Sequence, residues 1–138
     1  TFTRDIIEGR PLTVFNHGDM KRDFTWIDDI VHGILGALDH PPAPRGPYCY
    51  GDAPHRILNL GNNRPENLVD FIAMIEECVG RKAEKIMAPL APGDVDETWA
   101  DIGPAQKLFG YSPQTPIATG IPRFVQWYAD FYGMPAVA

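Results

Sequence analysis

Three short segments of this chain combine residue types that suit the handling of a small phosphorylated ligand. In Lys21-Arg22-Asp23, the Arg22 guanidinium stands just before an apolar run and can donate paired, charge-assisted hydrogen bonds to a phosphate. From residue types alone, an ion pair with Asp23, Asp28 or Asp29 that merely holds a turn is the leading reading. In Pro92-Gly93-Asp94-Val95, the glycine lets a ligand approach the backbone and the Asp94 carboxylate offers two acceptors spaced for a cis-diol. An ordinary Pro-Gly-Asp turn is the alternative. Leu12-Thr13-Val14-Phe15-Asn16 reads as a strand edge whose backbone N–H and C=O groups pair with a flat heterocycle, or, as most such strands do, simply with another strand.

Other chemistries are excluded more firmly. Ser112, the only serine, lies in Tyr111-Ser112-Pro113 and not in a GxSxG elbow, which leaves a serine hydrolase without its nucleophile. Neither GxxxxGK[ST] nor GxGxxG occurs, and none of the five tyrosines has a lysine four residues downstream. Cys49 and Cys78 lie far apart with no histidine at ligand spacing, so no disulfide framework or metal site is expected, and free thiols suit a cytoplasmic protein. Eighteen acidic residues against twelve basic ones give a net charge of -6, the wrong sign for nucleic acid. No apolar run is long enough for a membrane span.

The elements that must position these segments follow from period and punctuation. With 138 residues and 44% hydrophobic content the chain can bury a core of its own. It opens on Thr1, inside a helix carrying Phe2, Ile6 and Ile7, which reads as a fragment of a longer chain. A strand is expected over Leu12 to Phe15, closed by the turn Asn16-His17-Gly18-Asp19, and a second over Asp23 to Ile27. Asp28 and Asp29 then cap a helix whose apolar face is Ile30, Val31, Ile34, Leu35 and Leu38. Five prolines between His40 and His55 enforce a loop, and Arg56 to Leu60 reads as a strand. Pro65 is placed to start a helix bearing Leu68, Phe71, Ile72, Ile75 and Val79, with Gly80 to end it. A strand at Ala83 to Met87, a short helix near Asp101 to Phe109 and a last helix follow. That last helix opens at Thr115-Pro116, buries Ile117, Ile121, Phe124, Val125, Tyr128 and Phe131, and stops at Gly133 and Pro135. The class is α/β with a sheet too small for a doubly wound domain.

Four strings, RDFTWIDDIV from Arg22, LNLGNNRPENLVDFI from Leu58, PGDVDETWAD from Pro92 and GYSPQTPIATGIPRFVQWY from Gly110, resemble the C-terminal part of nucleotide-sugar epimerases. These belong to the extended short-chain dehydrogenase/reductase superfamily, and the spelling is most similar to the UDP-glucuronate 4-epimerase branch. The resemblance covers residues 1–138 nearly throughout, and implies one small C-terminal substrate-binding portion. The Rossmann dinucleotide-binding domain, with its glycine turn and Tyr-x-x-x-Lys pair, would be mostly absent. Carried over by residue, the resemblance implies that Arg22 binds the diphosphate, Asp94 the ribose hydroxyls, and the backbone at Thr13 and Phe15 the uracil of a UDP-sugar. It implies no catalytic residue here, with NAD held by the full-length parent and not by the fragment. Two departures stand out: related galactose epimerases have a tyrosine at Phe24 and an arginine at Ala91. A dehydratase, decarboxylase or reductase of the same superfamily, or a non-catalytic binding module, are the competing expectations. Dimers of the family meet through the missing domain, which leaves the fragment a monomer or associated through apolar surface that domain would cover.

Overall fold

The structure, a computed structural model, describes residues 1–134. In chain order the elements are α1 (Phe2–Glu8), β1 (Leu12–Val14), a 3-10 turn (Phe15–Gly18), β2 (Lys21–Arg22), α2 (Ile27–Asp39), β3 (Glu66–Asn67), α3 (Leu68–Val79), β4 (Lys85–Met87), α4 (Gly103–Phe109) and α5 (Ile117–Tyr132). They are distributed over two compact units, one built from residues 1–22, 65–98 and 116 onward, the other from residues 23–64 and 99–115.

The first unit carries helices α1, α3 and α5 and two small strand pairs. β1 and β4 run parallel, with Thr13 opposite Ile86, and β2 and β3 run antiparallel, with Arg22 opposite Glu66. Apolar side chains at helical spacing, Ile72 and Ile75 on α3 and Ile121 and Val125 on α5, meet Ile6, Leu12 and Val14 in a core where each is nearly or wholly buried. Gly80 ends α3 in the left-handed conformation (φ 71°), as expected of a glycine at that position. One carboxylate belongs to this core. The buried Glu76 accepts hydrogen bonds from Lys85, from Lys82 at 3.1 Å and from the Ala83 N–H at 3.0 Å. These bonds tie the end of α3 to the strand that follows it.

The second unit packs α2 and α4 around Ile102, Ala105 and Tyr111, with Leu60, Ala100 and Phe109 against them. Gly33 and Gly36 let α2 approach closely: a Cβ at Gly33 would lie 2.7 Å from Leu60, and one at Gly36 2.4 Å from Phe109. Two aspartates organise the backbone. Asp23 accepts from the N–H groups of Asn62, Asn63 and Ala100, and Asp29 from those of Gln114 and Thr115.

Several expectations need correction. The strand over Asp23 to Ile27 does not form: pairing ends at Arg22, because Asp23 turns to its three N–H donors and Ile27 already begins α2. Pro65 is not the first helical residue, since Glu66 and Asn67 pair with β2 and α3 starts at Leu68. Arg56 to Leu60 shows only a bridge from Arg56 to Cys49, as no described strand lies beside it to complete a ladder. The apolar stripe of α2 is turned outward, with Val31, Ile34, Leu35 and Leu38 all exposed, while Asp29 and Gly33 are buried. On α5, Phe124 and Phe131 are exposed, not buried. Pro135 lies outside the described residues. Both cysteines are free, and burial, aided by Glu77, pushes the Cys78 thiol up. No described helix is long and apolar enough to cross a membrane.

Candidate functional site

All four residues singled out from the sequence lie in the first unit. Thr13 is the middle residue of β1. Leu12 donates to Glu84 O at 2.8 Å and Val14 O accepts from Ala88 at 2.9 Å, so the backbone groups of Leu12 and Val14 face β4. Backbone polar groups of successive strand residues point to opposite edges. The Thr13 N–H and C=O therefore face the edge that carries no strand in the two-stranded sheet. β1 thus pairs with a strand on one side and leaves the Thr13 backbone groups on the other.

Phe15 opens the 3-10 turn and is about two-fifths exposed. Behind it, Asn16 (φ 48°) and His17 (φ 53°) are both left-handed, an uncommon conformation for two consecutive residues other than glycine. The turn is held by the Asn16 Nδ2 donating to Asp19 O at 2.6 Å and by the His17 N–H donating to Ala88 O at 2.9 Å. That second bond fixes the start of the loop after β4 beside the turn.

The far end of the same loop reaches Arg22. Pro92-Gly93 is a turn closed by Asp94 N–H to Ala91 O at 3.0 Å, with Gly93 at φ 83°, as the plain turn reading expects. Lys21 N–H donates to Asp96 O at 2.8 Å and Thr98 N–H to Lys21 O at 3.2 Å, which lays the segment after Asp94 alongside β2. One loop thus starts at the β1 turn and ends at β2.

Arg22 and Asp94 are in direct contact, Nη2 to Oδ1 at 2.8 Å. The shared location is as expected; the direct ion pair is closer than a bridging ligand would need. The alternative partners Asp23, Asp28 and Asp29 are occupied elsewhere, Asp28 by the Trp26 indole N–H at 2.9 Å. Arg22 Nη2 also donates to Val95 O at 2.7 Å, and Nη1 to Lys21 O at 2.8 Å and Asp96 O at 3.1 Å. Four of the five guanidinium N–H groups are thereby used by the protein itself. Asp94 Oδ1 also accepts from the Val95 N–H at 2.8 Å. Oδ2 accepts no hydrogen bond among the described residues. The surroundings are apolar and exposed, with Phe15, Met87, Leu90 and Val95 each about half accessible.

An open groove of about 630 Å³ elsewhere in this unit is lined by Glu66, Asp70, Glu76 and Glu77 against only Arg81 and Lys82. Its charge is wrong for a diphosphate. No group of three or more candidate metal ligands occurs among the described residues, and nothing in the 138 residues supplies a glycine cradle for a dinucleotide.

Known proteins resemble this chain in sequence and in fold. Residues 1–60 match the NAD dependent epimerase/dehydratase family. Over 95% of its length the chain is 44% identical to UDP-glucuronate 4-epimerase 2 of Arabidopsis thaliana, covering 32% of that protein. It is 41% identical to an uncharacterised 37.6 kDa protein of Escherichia coli O111:H-, covering 41% of it. Among solved structures, the UDP-glucuronic acid 4-epimerase of Bacillus cereus, in complex with UDP-glucuronic acid and NAD, matches 95% of the chain at 30% identity with a TM-score of 0.77, over 39% of that protein. The resemblance to nucleotide-sugar epimerases read from the sequence is borne out, and NAD is bound in the homologous epimerase structure. The chain spans about two-fifths or less of the length of these relatives.

Proposed function

We propose that this chain is the nucleotide-gripping portion of an NAD-dependent nucleotide-sugar epimerase acting on a UDP-sugar, with UDP-glucuronate as the first candidate. The observation that carries the reading is the meeting of Arg22 and Asp94 across one loop whose other end is fixed at the Thr13–Phe15 segment. Homology to UDP-glucuronate 4-epimerases supports it.

In this reading the Thr13 edge receives the uracil, with Phe15 as its apolar neighbour. The Asp94 carboxylate accepts the ribose hydroxyls, and Arg22 donates to the diphosphate. Because four Arg22 N–H groups already have protein acceptors, binding is an exchange: the Asp94 and Val95 contacts yield to phosphate oxygens. NAD in the full-length enzyme supplies the redox chemistry at the sugar. The grip described here holds the substrate by a part that does not react, so that binding energy positions the reacting carbon.

Two measurements test this. Arg22→Ala is expected to weaken UDP binding at least 10-fold by calorimetry, since a charge-assisted phosphate contact contributes about 1.5 to 3 kcal/mol. An unchanged constant would reduce Arg22 to a turn-holding residue. Asp94→Ala is expected to split the ligands, weakening UDP, which loses its ribose acceptor, while strengthening inorganic pyrophosphate a few-fold, because Arg22 is released. Loss of both would show that Asp94 acts only as a structural clasp. The 138 residues alone are expected to show no epimerase turnover.

A further inference from the structure

The last helix presents an apolar face that the core does not use. Its inner face, Ile117, Ile121, Val125 and Ala129, is buried, and α5 packs on α3. On the outer face, Phe124, Trp127 and Phe131 form a continuous ladder, with ring centroids 5.8 Å apart for the first pair and 5.3 Å apart, nearly parallel, for the second. Trp127 is 52% exposed and Phe131 66%. Spacings of three and four residues put these rings on one stripe.

We propose that this face of α5 is a homotypic interface, in which two copies of the chain pair their α5 helices antiparallel about a two-fold axis near Trp127. The argument rests on charge. α5 carries only two charged residues, Arg123 and Asp130, seven positions apart and both exposed. Seven residues are two helical turns, so both lie along the same flank of the stripe, about 10 Å apart along the axis. In an antiparallel pair centred near Trp127, Arg123 of each copy falls level with Asp130 of the other. Phe124 faces Phe131, and the two Trp127 rings meet at the centre.

A chain of net charge -6 repels its own copies over most of its surface. This stripe is locally neutral and self-complementary. The other exposed apolar helix face, on α2, is flanked by Asp28 and Asp39 and would bring like charges together in any symmetric pair. The three rings with flanking Arg123, Gln126 and Asp130 would bury on the order of 1,000 Å² over both copies, near the lower end of specific interfaces.

Sedimentation equilibrium of the 138-residue chain over a range of concentrations, together with four surface variants, tests the pairing. A monomer–dimer equilibrium is expected, with Trp127→Ala raising its dissociation constant about 30-fold, the effect of a central aromatic anchor. Arg123→Glu is expected to raise it about 10-fold, and adding Asp130→Arg in the same chain to restore it within about threefold. All of these positions are exposed, and circular dichroism checks that each variant is folded. A chain monomeric at all concentrations, a dimer indifferent to Trp127→Ala, or a charge swap without recovery would each overturn the proposal. A dimer lost on Leu35→Asp but kept on Trp127→Ala would assign association to α2 instead.

Discussion

Glu76→Gln is expected to cost about 3 kcal/mol of folding stability at neutral pH and almost nothing near pH 2. The carboxylate is only 2% exposed. Burial by itself would raise its pKa, but the Lys85 ammonium, the Ala83 N–H and the Lys82 ammonium outweigh burial and hold it at about 2, against an ordinary value of 4.5. A folded-state pKa depressed below the unfolded one means that the native state favours the charged form. Its stabilisation is then fully present above the unfolded value and is lost as pH falls through the folded one. A difference of two to three units corresponds to about 3 kcal/mol, close to what breaking a buried ion pair typically costs.

The glutamine amide in this variant would fill the same space and keep one acceptor, yet leave Lys85, itself mostly buried, without a countercharge. Urea unfolding of both proteins at pH 7 and at about pH 2 reads the two differences. A gap that stays constant across pH would mean that shape, not charge, makes Glu76 necessary. The consequence reaches the candidate site, because Glu76 fastens α3 to β4, β4 pairs with the strand bearing Thr13, and the loop to Asp94 leaves from its end.

Much of this is legible in the sequence. The stripe Leu68, Ile72, Ile75 closed by Gly80 states its helix and its buried face together, and β1 and β4 appear within two residues of their expected limits. The Arg22–Asp94 meeting is legible only through the resemblance, since nothing in two segments some seventy residues apart declares that they touch. What escapes has a common cause: an apolar stripe records that something covers it, but not what. The stripes of α2 and the outer face of α5 read like core and lie exposed. Arg56 to Leu60 reads like a strand and, among the described residues, finds only the single bridge from Arg56 to Cys49. Asp23 escapes for the opposite reason, because a carboxylate that gathers backbone N–H groups from two distant loops leaves no periodic trace.

Asp23 supplies the second large effect. Asp23→Ala is expected to destabilise the second unit by about 3 kcal/mol, since hydrogen bonds to an ionised acceptor contribute about 1.5 to 3 kcal/mol each and bonds sharing one acceptor group do not add fully. Oδ1 accepts from Asn62 at 2.8 Å, and Oδ2 from Asn63 at 3.0 Å and Ala100 at 2.9 Å. Gly61 makes the approach possible, for a Cβ there would lie 2.8 Å from Oδ2 and 2.4 Å from the Ala100 Cβ. An asparagine at this position has one oxygen to offer, which best takes the Oδ2 position and turns its own N–H groups toward the Asn62 donor. Asp23→Asn should therefore fall between the native residue and alanine, at about half the loss. Amide hydrogen exchange at residues 62, 63 and 100 reads the effect locally, with faster exchange expected at all three in the alanine variant. Its neighbour gives the contrast: Arg22→Ala should weaken UDP binding while leaving these amides unchanged, because every recorded acceptor of Arg22 lies in the first unit. If Asp23→Ala weakened UDP binding as strongly as Arg22→Ala without speeding exchange at the three amides, Asp23 would be a ligand-contacting residue and its loop-gathering role would be secondary.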